Sequence, residues 1–441
     1  MEQVEPFVRL MEQAGLPGPA IATFRLHLER FLGGETGVLD RTMIEPVGQL
    51  PNARALDPAA GREDLQRTVV IKLNGGLGTG MGLERAKSLI EVRPGVTFLD
   101  LIARQILELR RRRDTTTPLL FMNSFRTADD TERALAAHPG LSVDGLPLGF
   151  LQHRVPRIVA ADRSPTSWPE DPELEWCPPG HGDVYTALVT SGLLERLLDG
   201  GYETAFISNS DNLGAVLDTG LLGHMRASDA AFMMEVADRT PADRKGGHLC
   251  RLTDGRLALR ESAQCPDDEK DEFQDIDRYR YFNTNNVWVS LPALASLLDR
   301  HDARDPASPE VVQLETAMGS AISLFDSAVA VRVPRTRFSP VKTTDDLLGV
   351  RSDAYELTDE ATVVLAPERS SPPTVSLDAA FFKLLDEFER RFPSGPPSLV
   401  RCSKLAVVGD VTFGDGVVVE GDVTIRGGET PSRIPDGSVL R

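Results

Sequence analysis

Ile71-Lys72-Leu73-Asn74-Gly75-Gly76-Leu77-Gly78-Thr79-Gly80-Met81-Gly82, running on to Lys87, is the stretch on which the fold of this chain turns. Residues 68–73 form an apolar run of strand length, and five glycines follow within eight residues. Glycine this dense directly after a strand is rarely mere punctuation. It leaves bare backbone N–H groups, and a helix beyond it would add the positive end of its dipole, so the segment suits close approach of a polyphosphate. Spacing excludes two common phosphate loops. A dinucleotide fingerprint would need its third glycine at Met81, Leu83 or Arg85, and a P-loop would need glycine where Ala86 precedes Lys87.

Working outward, further apolar runs at 118–122, 204–208, 231–236 and 328–333 read as strands. Amphipathic stretches at 97–113, 184–198 and 216–225 read as helices between them. Apolar strands separated by helices predict an α/β fold: a Rossmann-like domain with a mixed, mostly parallel sheet covered on both faces. Ligands of such sheets sit beyond the carboxyl ends of the strands, where the glycine stretch falls. Thr253-Asp254-Gly255 predicts a hairpin turn between 249–252 and 256–259. Toward the N-terminus, Phe7, Leu10, Met11 and Ala14, and then Ile21, Phe24, Leu28 and Phe31, recur at helical spacing.

Composition changes beyond Val350. Residues 365–375 are rich in proline and serine and read as a linker, with an amphipathic helix at 379–391. Leu405, Val411, Val417 and Val423 then recur every six residues, the period of a left-handed parallel β-helix. One or two such coils bury little by themselves, so this tail should stack on the main domain or on another subunit, which allows a homo-oligomer. The expected organisation is a helical segment over 1–64 packed on the core, the α/β sheet domain over 65–352, a linker and helix over 353–399, and the β-helix over 400–441.

The 441 residues carry 48 Lys and Arg against 66 Asp and Glu, a net charge of −18. Such a chain is repelled by polyanions, so nucleic acid is not its partner, and any phosphate it binds is small and held in a locally positive pocket. The sequence has no run of eighteen apolar residues, which argues against a membrane span. The first residues carry acids where a secretory signal would carry bases. Four cysteines, Cys177, Cys250, Cys265 and Cys402, include no CxxC pair, which fits a reducing cytoplasm better than a disulfide or zinc framework.

LNGGLGTGMG followed by AKS resembles the LNGGLGTSMG…PKS loop of eukaryotic-type UTP–glucose-1-phosphate uridylyltransferases (UDP-glucose pyrophosphorylases). The resemblance continues in order through Met122-Asn123-Ser124-Phe125, Pro179-Gly180-His181-Gly182-Asp183-Val184-Tyr185 and Asn209-Ser210-Asp211-Asn212-Leu213-Gly214-Ala215. Further on come Lys245-Gly246-Gly247, Phe282-Asn283-Thr284-Asn285-Asn286, Leu314-Glu315-Thr316-Ala317, Val333-Pro334-Arg335 and Pro340-Val341-Lys342-Thr343-Thr344. Members of that family also end in a hexapeptide β-helix.

The resemblance implies nucleotidyl transfer: glucose 1-phosphate attacks the α-phosphorus of UTP, releasing pyrophosphate and forming UDP-glucose without a covalent intermediate. The attacking phosphate is already ionised, so catalysis reduces to aligning two anions and stabilising charge on the transition state and leaving group. The family's phosphate lysines match Lys87 and Lys342. Its Mg²⁺ carboxylate matches Asp211, since a hard cation wants carboxylate and phosphate oxygens. Uracil recognition falls on the backbone around Leu73, Asn74, Gly75, Gly76 and Gly78, with Gln152, Met122 and Gly180. The sugar phosphate and hydroxyls fall to His181, Asn209, Gly247, Glu261, Asn285 and Glu315. The whole reading requires Lys87, Asp211 and Lys342 to meet in one place.

Glu84-Arg85-Ala86 stand where the family has Lys-Gly-Pro, which bears on UTP affinity rather than on the reaction class. Arg110–Arg113 read as the solvated last turn of a helix. Competing readings are a uridylyltransferase for galactose 1-phosphate or an N-acetylhexosamine 1-phosphate, and a sugar-nucleotide sensor without turnover. A pure binder need not keep two lysines and an aspartate useful chiefly in the transition state.

Overall fold

A computed structural model describes residues 3–34, 37–83, 85–240, 243–300, 318–428 and 430–441. Its frame is a ten-stranded mixed sheet. Thr68–Asn74 lies at the middle, paired in parallel with Thr204–Asn209 on one side and Leu119–Asn123 on the other, and Gly149–Leu151 extends that parallel half. Beyond Thr204–Asn209 the sheet turns antiparallel through Tyr281–Ser290, which also pairs with Phe232–Asp238 and touches His248–Leu252. The expected hairpin forms between His248–Leu252 and Leu257–Arg260, with Gly255 at φ 93°.

All seven residues of Thr68–Asn74 are buried because both faces are covered, and its alternation sorts them between two cores. Val70, Phe121, Phe206 and Trp288 point to the face covered by helix Phe98–Arg113. Val69, Ile71, Leu73, Leu120 and Ile207 point to the opposite face, under Val184–Thr190 and Leu193–Asp199. Those two helices replace the single one expected over 184–198, because the chain turns left-handed at Gly192, φ 72°. Thr97 and Asp100 cap Phe98–Arg113 reciprocally. In its last turn Arg110 departs from the solvated role expected of it. Its guanidinium donates to the carbonyls of Thr117, Gly140 and Leu141, stapling the helix end to the next two segments.

Helices Glu5–Gln13 and Gly18–Gly33 form a separate small core in which Phe7, Met11, Phe24 and Leu28 meet Trp176; Phe31 stays half exposed. In the tail, Thr374–Leu377, Cys402–Val408 and Gly421–Arg426 pair in parallel. Val411–Phe413 pairs likewise with Ser432–Ile434, and Val418–Val419 with Val439–Leu440. Leu405, Val411, Val417 and Val423 are all buried, and the tail's apolar side continues the core that covers Phe98–Arg113. Two expectations fail here. Residues 365–375 are no mere linker, since Thr374–Leu377 joins a ladder, and the helix expected over 379–391 breaks into Ala379–Phe382 and Leu385–Arg391.

Candidate active site

Strand Thr68–Asn74 delivers the glycine loop to the carboxyl ends of the parallel strands, but the loop does not run into an α-helix. Short 3₁₀ turns, Thr79–Met81 and Lys87–Leu89, follow it, and the next α-helix starts only at Phe98. The helix dipole expected behind the loop is therefore absent, and the backbone N–H groups and lysines must supply the positive charge. A bridge between Leu77 and Ala86, with the Lys87 N–H on the Gly76 carbonyl at 3.2 Å, folds the loop back so that Lys87 faces the strand ends.

There three side chains converge. Lys87 Nζ lies 3.0 Å from Asp211 Oδ2, and Lys342 Nζ lies 2.9 Å from the same oxygen. Asp211 enters on the turn after Thr204–Asn209, anchored by the Ser210 N–H on the Leu73 carbonyl. Lys342 arrives from the opposite direction, because Asn212 bridges Pro340 and the Val341 N–H donates to the Asp211 carbonyl at 3.1 Å. Asp211 is 9 % exposed, and its second oxygen, Oδ1, is buried without a hydrogen-bond partner. Among the described residues no group of three or more His, Cys, Asp or Glu side chains forms a metal cage. A buried carboxylate oxygen with a free valence suits Mg²⁺, which is commonly held by one or two carboxylates plus substrate phosphates.

His181 sits on a turn entered by Gly180, φ 105°. Burial, with Lys342 nearby, lowers its pKa to about 4, so the ring is neutral. Its Nδ1 accepts the Met318 N–H at 2.8 Å, which leaves the proton on Nε2, free to donate. Gln152 lies against the loop: a Cβ on Gly75 would stand 2.6 Å from its Nε2, so only glycine lets amide and loop approach this closely. Gly247 and Glu261 are likewise neighbours, a Cβ on Gly247 falling 2.4 Å from Glu261 Oε2. Burial raises the Glu261 pKa. Asn285 stands in a bulge of Tyr281–Ser290 at φ 55°, a conformation costly for a non-glycine residue, with its Oδ1 receiving Asn283 Nδ2 at 2.8 Å. Asn209 closes its strand and its carbonyl accepts the Asn212 N–H.

Other expected contact residues lie deeper. The Asn74 amide is spent internally, donating to Asn123 and Thr131 and accepting from Ser210, so it ties strands together rather than facing a ligand. Leu73 and Met122 carry their side chains into the core and form the floor. Glu315 and Glu84 lie outside the described residues. The sequence reading also missed groups beneath the site. Lys72 is buried and donates to Ser208 Oγ and the Ala215 carbonyl, and burial lowers its pKa to about 7. His153 and Asp183 share two bonds, 2.7 and 2.8 Å, that lock the Gln152 strand end to the His181 turn. Glu235 and Arg337 form a buried ion pair. A lone charge inside an apolar strand, Lys72 or Glu235, was the available signal.

A family model described as UTP–glucose-1-phosphate uridylyltransferase matches residues 21–420. The potato (Solanum tuberosum) UTP–glucose-1-phosphate uridylyltransferase is 42% identical over 430 residues, covering 93% of this chain and 89% of its own. The Saccharomyces cerevisiae enzyme of that name is 41% identical over 392 residues, 86% of this chain and 77% of its own. A UDP-glucose pyrophosphorylase variant from Leishmania major, crystallised with UDP-glucose, superposes with a TM-score of 0.91 at 42% identity, covering 100% of this chain and 98% of that one.

Proposed function

The chain belongs to the UTP–glucose-1-phosphate uridylyltransferase family, and on that premise we propose that it makes UDP-glucose and pyrophosphate from UTP and glucose 1-phosphate. The observation that carries this reading is the meeting of Lys87 and Lys342 on one oxygen of Asp211, at 3.0 and 2.9 Å, beyond the ends of the parallel strands. An oxygen of the sugar phosphate attacks the α-phosphorus as the bond to the pyrophosphate oxygen breaks, and no proton has to move. The two ammonium groups, already aimed at one point, transfer their charge from Asp211 to the phosphates that gather there. Asp211, through its unpartnered Oδ1, would hold Mg²⁺ together with substrate oxygens. Mg²⁺ bound there would draw negative charge off the triphosphate.

Neutral His181 donates from Nε2 to the sugar phosphate without competing as a cation. Gln152, pressed on the loop at Gly75, reads the uracil edge together with the backbone of Gly75, Gly76, Gly78 and Gly180. Gly247, Glu261, Asn285 and Asn209 face the glucose side, where a half-buried carboxylate and an amide held in a bulge suit vicinal hydroxyls. We read the C-terminal ladders as a short left-handed β-helix, supported by buried apolar residues every six positions, and a second copy would stack on its open end. Four free cysteines fit a reducing, cytoplasmic setting, and no described helix is long and apolar enough to cross a membrane.

The test is pyrophosphate release with each nucleoside triphosphate against a panel of sugar 1-phosphates, with and without Mg²⁺. Release with UTP and glucose 1-phosphate, dependent on Mg²⁺, is expected. No release with any pair would establish the sensor instead, and release only with galactose or N-acetylhexosamine 1-phosphate would change the sugar.

A further inference from the structure

Beneath the lysine–aspartate cluster lies a second set of charges that the reaction above does not use. Glu235 is fully buried and Arg337 is 7 % exposed. The guanidinium forks onto the carboxylate, Nε to Oε2 and Nη2 to Oε1, both at 2.7 Å. Glu235 also accepts from Trp288 Nε1 at 2.9 Å and Asn286 Nδ2 at 3.1 Å. With both carboxylate oxygens doubly engaged, the buried pair holds one geometry rather than several.

What it holds is the chain leading to Lys342. Arg337 Nη2 donates to the Val216 carbonyl at 2.9 Å, and the Arg337 carbonyl accepts Asn212 Nδ2 at 3.0 Å and Asn286 Nδ2 at 3.2 Å. Asn212 Oδ1 in turn accepts the Ser339 N–H at 3.0 Å, and the Asn212–Pro340 bridge and Val341 N–H complete the line to Asp211. Lys342 itself has a side chain that is 54 % exposed, so packing does not aim it; its backbone does. We propose that Glu235 and Arg337 are positioning residues of the transfer reaction, a buried ion pair that fixes the 337–342 segment and so brings Lys342 to the phosphates over Asp211. The inference rests on the reading of Lys342 and Asp211 given above.

The test compares Arg337→Lys and Glu235→Gln, each alone and combined with Lys342→Ala, by steady-state kinetics and thermal denaturation. Either single substitution should lower kcat at least about tenfold while both KM values move less than about threefold, because a small misplacement of a transition-state donor costs rate more than binding. In the Lys342→Ala background the same substitution should change kcat less than about twofold, since the pair acts through that lysine. Losses that multiply independently, or a KM rise at unchanged kcat, would overturn the proposal. If neither variant folds, Trp288→Phe decides. It removes one N–H from Glu235 and keeps a ring against Phe206, now 4.5 Å away between centroids. Its smaller loss must also vanish without Lys342, and a loss that persists overturns the proposal. A silent Lys342→Ala would instead refute the reading of the site, an outcome distinct from both.

Discussion

Replacing Lys342 by alanine separates electrostatic catalysis from structural support. The ammonium stands 2.9 Å from Asp211 Oδ2 on a side chain 54 % exposed, whereas Lys87, on the same oxygen at 3.0 Å, is 15 % exposed. Two unit charges about 4 Å apart interact by about 1 kcal/mol in water and about 4 kcal/mol at an effective dielectric of 20. A half-exposed lysine facing a phosphate falls toward the upper part of that range once substrates exclude water. This agrees with the roughly 2.7–4 kcal/mol lost when one transition-state donor is removed, a fall in kcat of about 10²- to 10³-fold. Folding should barely notice, because Lys87 still neutralises Asp211 and a half-exposed pair contributes about 0–1 kcal/mol. The assay is pyrophosphate release at saturating UTP and glucose 1-phosphate, beside a thermal melt. A turnover within threefold of the parent would refute the placement of Lys342 at the phosphates, and a collapse of the melt would show a structural role instead.

Asp211→Asn keeps the shape and removes the charge, so turnover should drop by about 10²-fold or more and half-maximal rate should need at least about tenfold more Mg²⁺; an unchanged magnesium titration removes Asp211 as the ligand. Gly247→Ala puts a methyl 2.4 Å from Glu261 Oε2, so KM for glucose 1-phosphate should rise at least about tenfold with KM for UTP unmoved, since the substrate hydroxyl loses a positioned partner. Equal effects on both constants would show that this pair does not serve the sugar. His181 carries a pH signature in stability. Its folded value, about 4, lies below the ordinary 6.5, so below pH 6.5 the unfolded chain takes up a proton that the folded chain refuses. The contribution is whole above pH 6.5 and is lost as pH falls toward 4. Urea denaturation across that window should show a shallower loss in His181→Gln than in the parent, and equal slopes would contradict the neutral ring.

The sheet was legible because its central strands, buried on both faces, are written as apolar runs broken only by single charges such as Lys72 and Glu235, and the glycines mark where the first of them ends. Lys87, Asp211 and Lys342 were legible as motif positions, in Ala86-Lys87-Ser88, Asn209-Ser210-Asp211-Asn212 and Pro340-Val341-Lys342-Thr343-Thr344. The ion pair beneath them was not. Glu235 sits among apolar neighbours in its strand, and its partner Arg337 is 102 residues away, so nothing local announces the pairing. The same limit explains the tail. Proline and serine near 370 mark local irregularity, while the pairing of Thr374–Leu377 with Cys402–Val408 is settled by the ladder that follows. At Lys87 the error ran the other way: a phosphate loop followed by a helix is the common arrangement, and here the Leu77–Ala86 bridge turns the chain back before a helix can start.

A net charge of −18 sits oddly with two anionic substrates until distance is considered. At physiological salt the field of exposed charges fades over about 8 Å, so the acids scattered over the surface scarcely reach the niche. Within it the ordering of charges matters more than their sum. Two ammonium groups directed at one point would repel each other, and Asp211, 9 % exposed, removes that repulsion through a single oxygen. The other oxygen is left buried and unpartnered, an arrangement that costs stability unless a partner meets it. The aspartate thus performs two tasks with opposite signs. It draws the two ammonium groups to one point, and in the reading proposed above its unpartnered oxygen would hold Mg²⁺. An acidic protein can in this way gather the few cations that count around one buried carboxylate beyond the ends of its parallel strands.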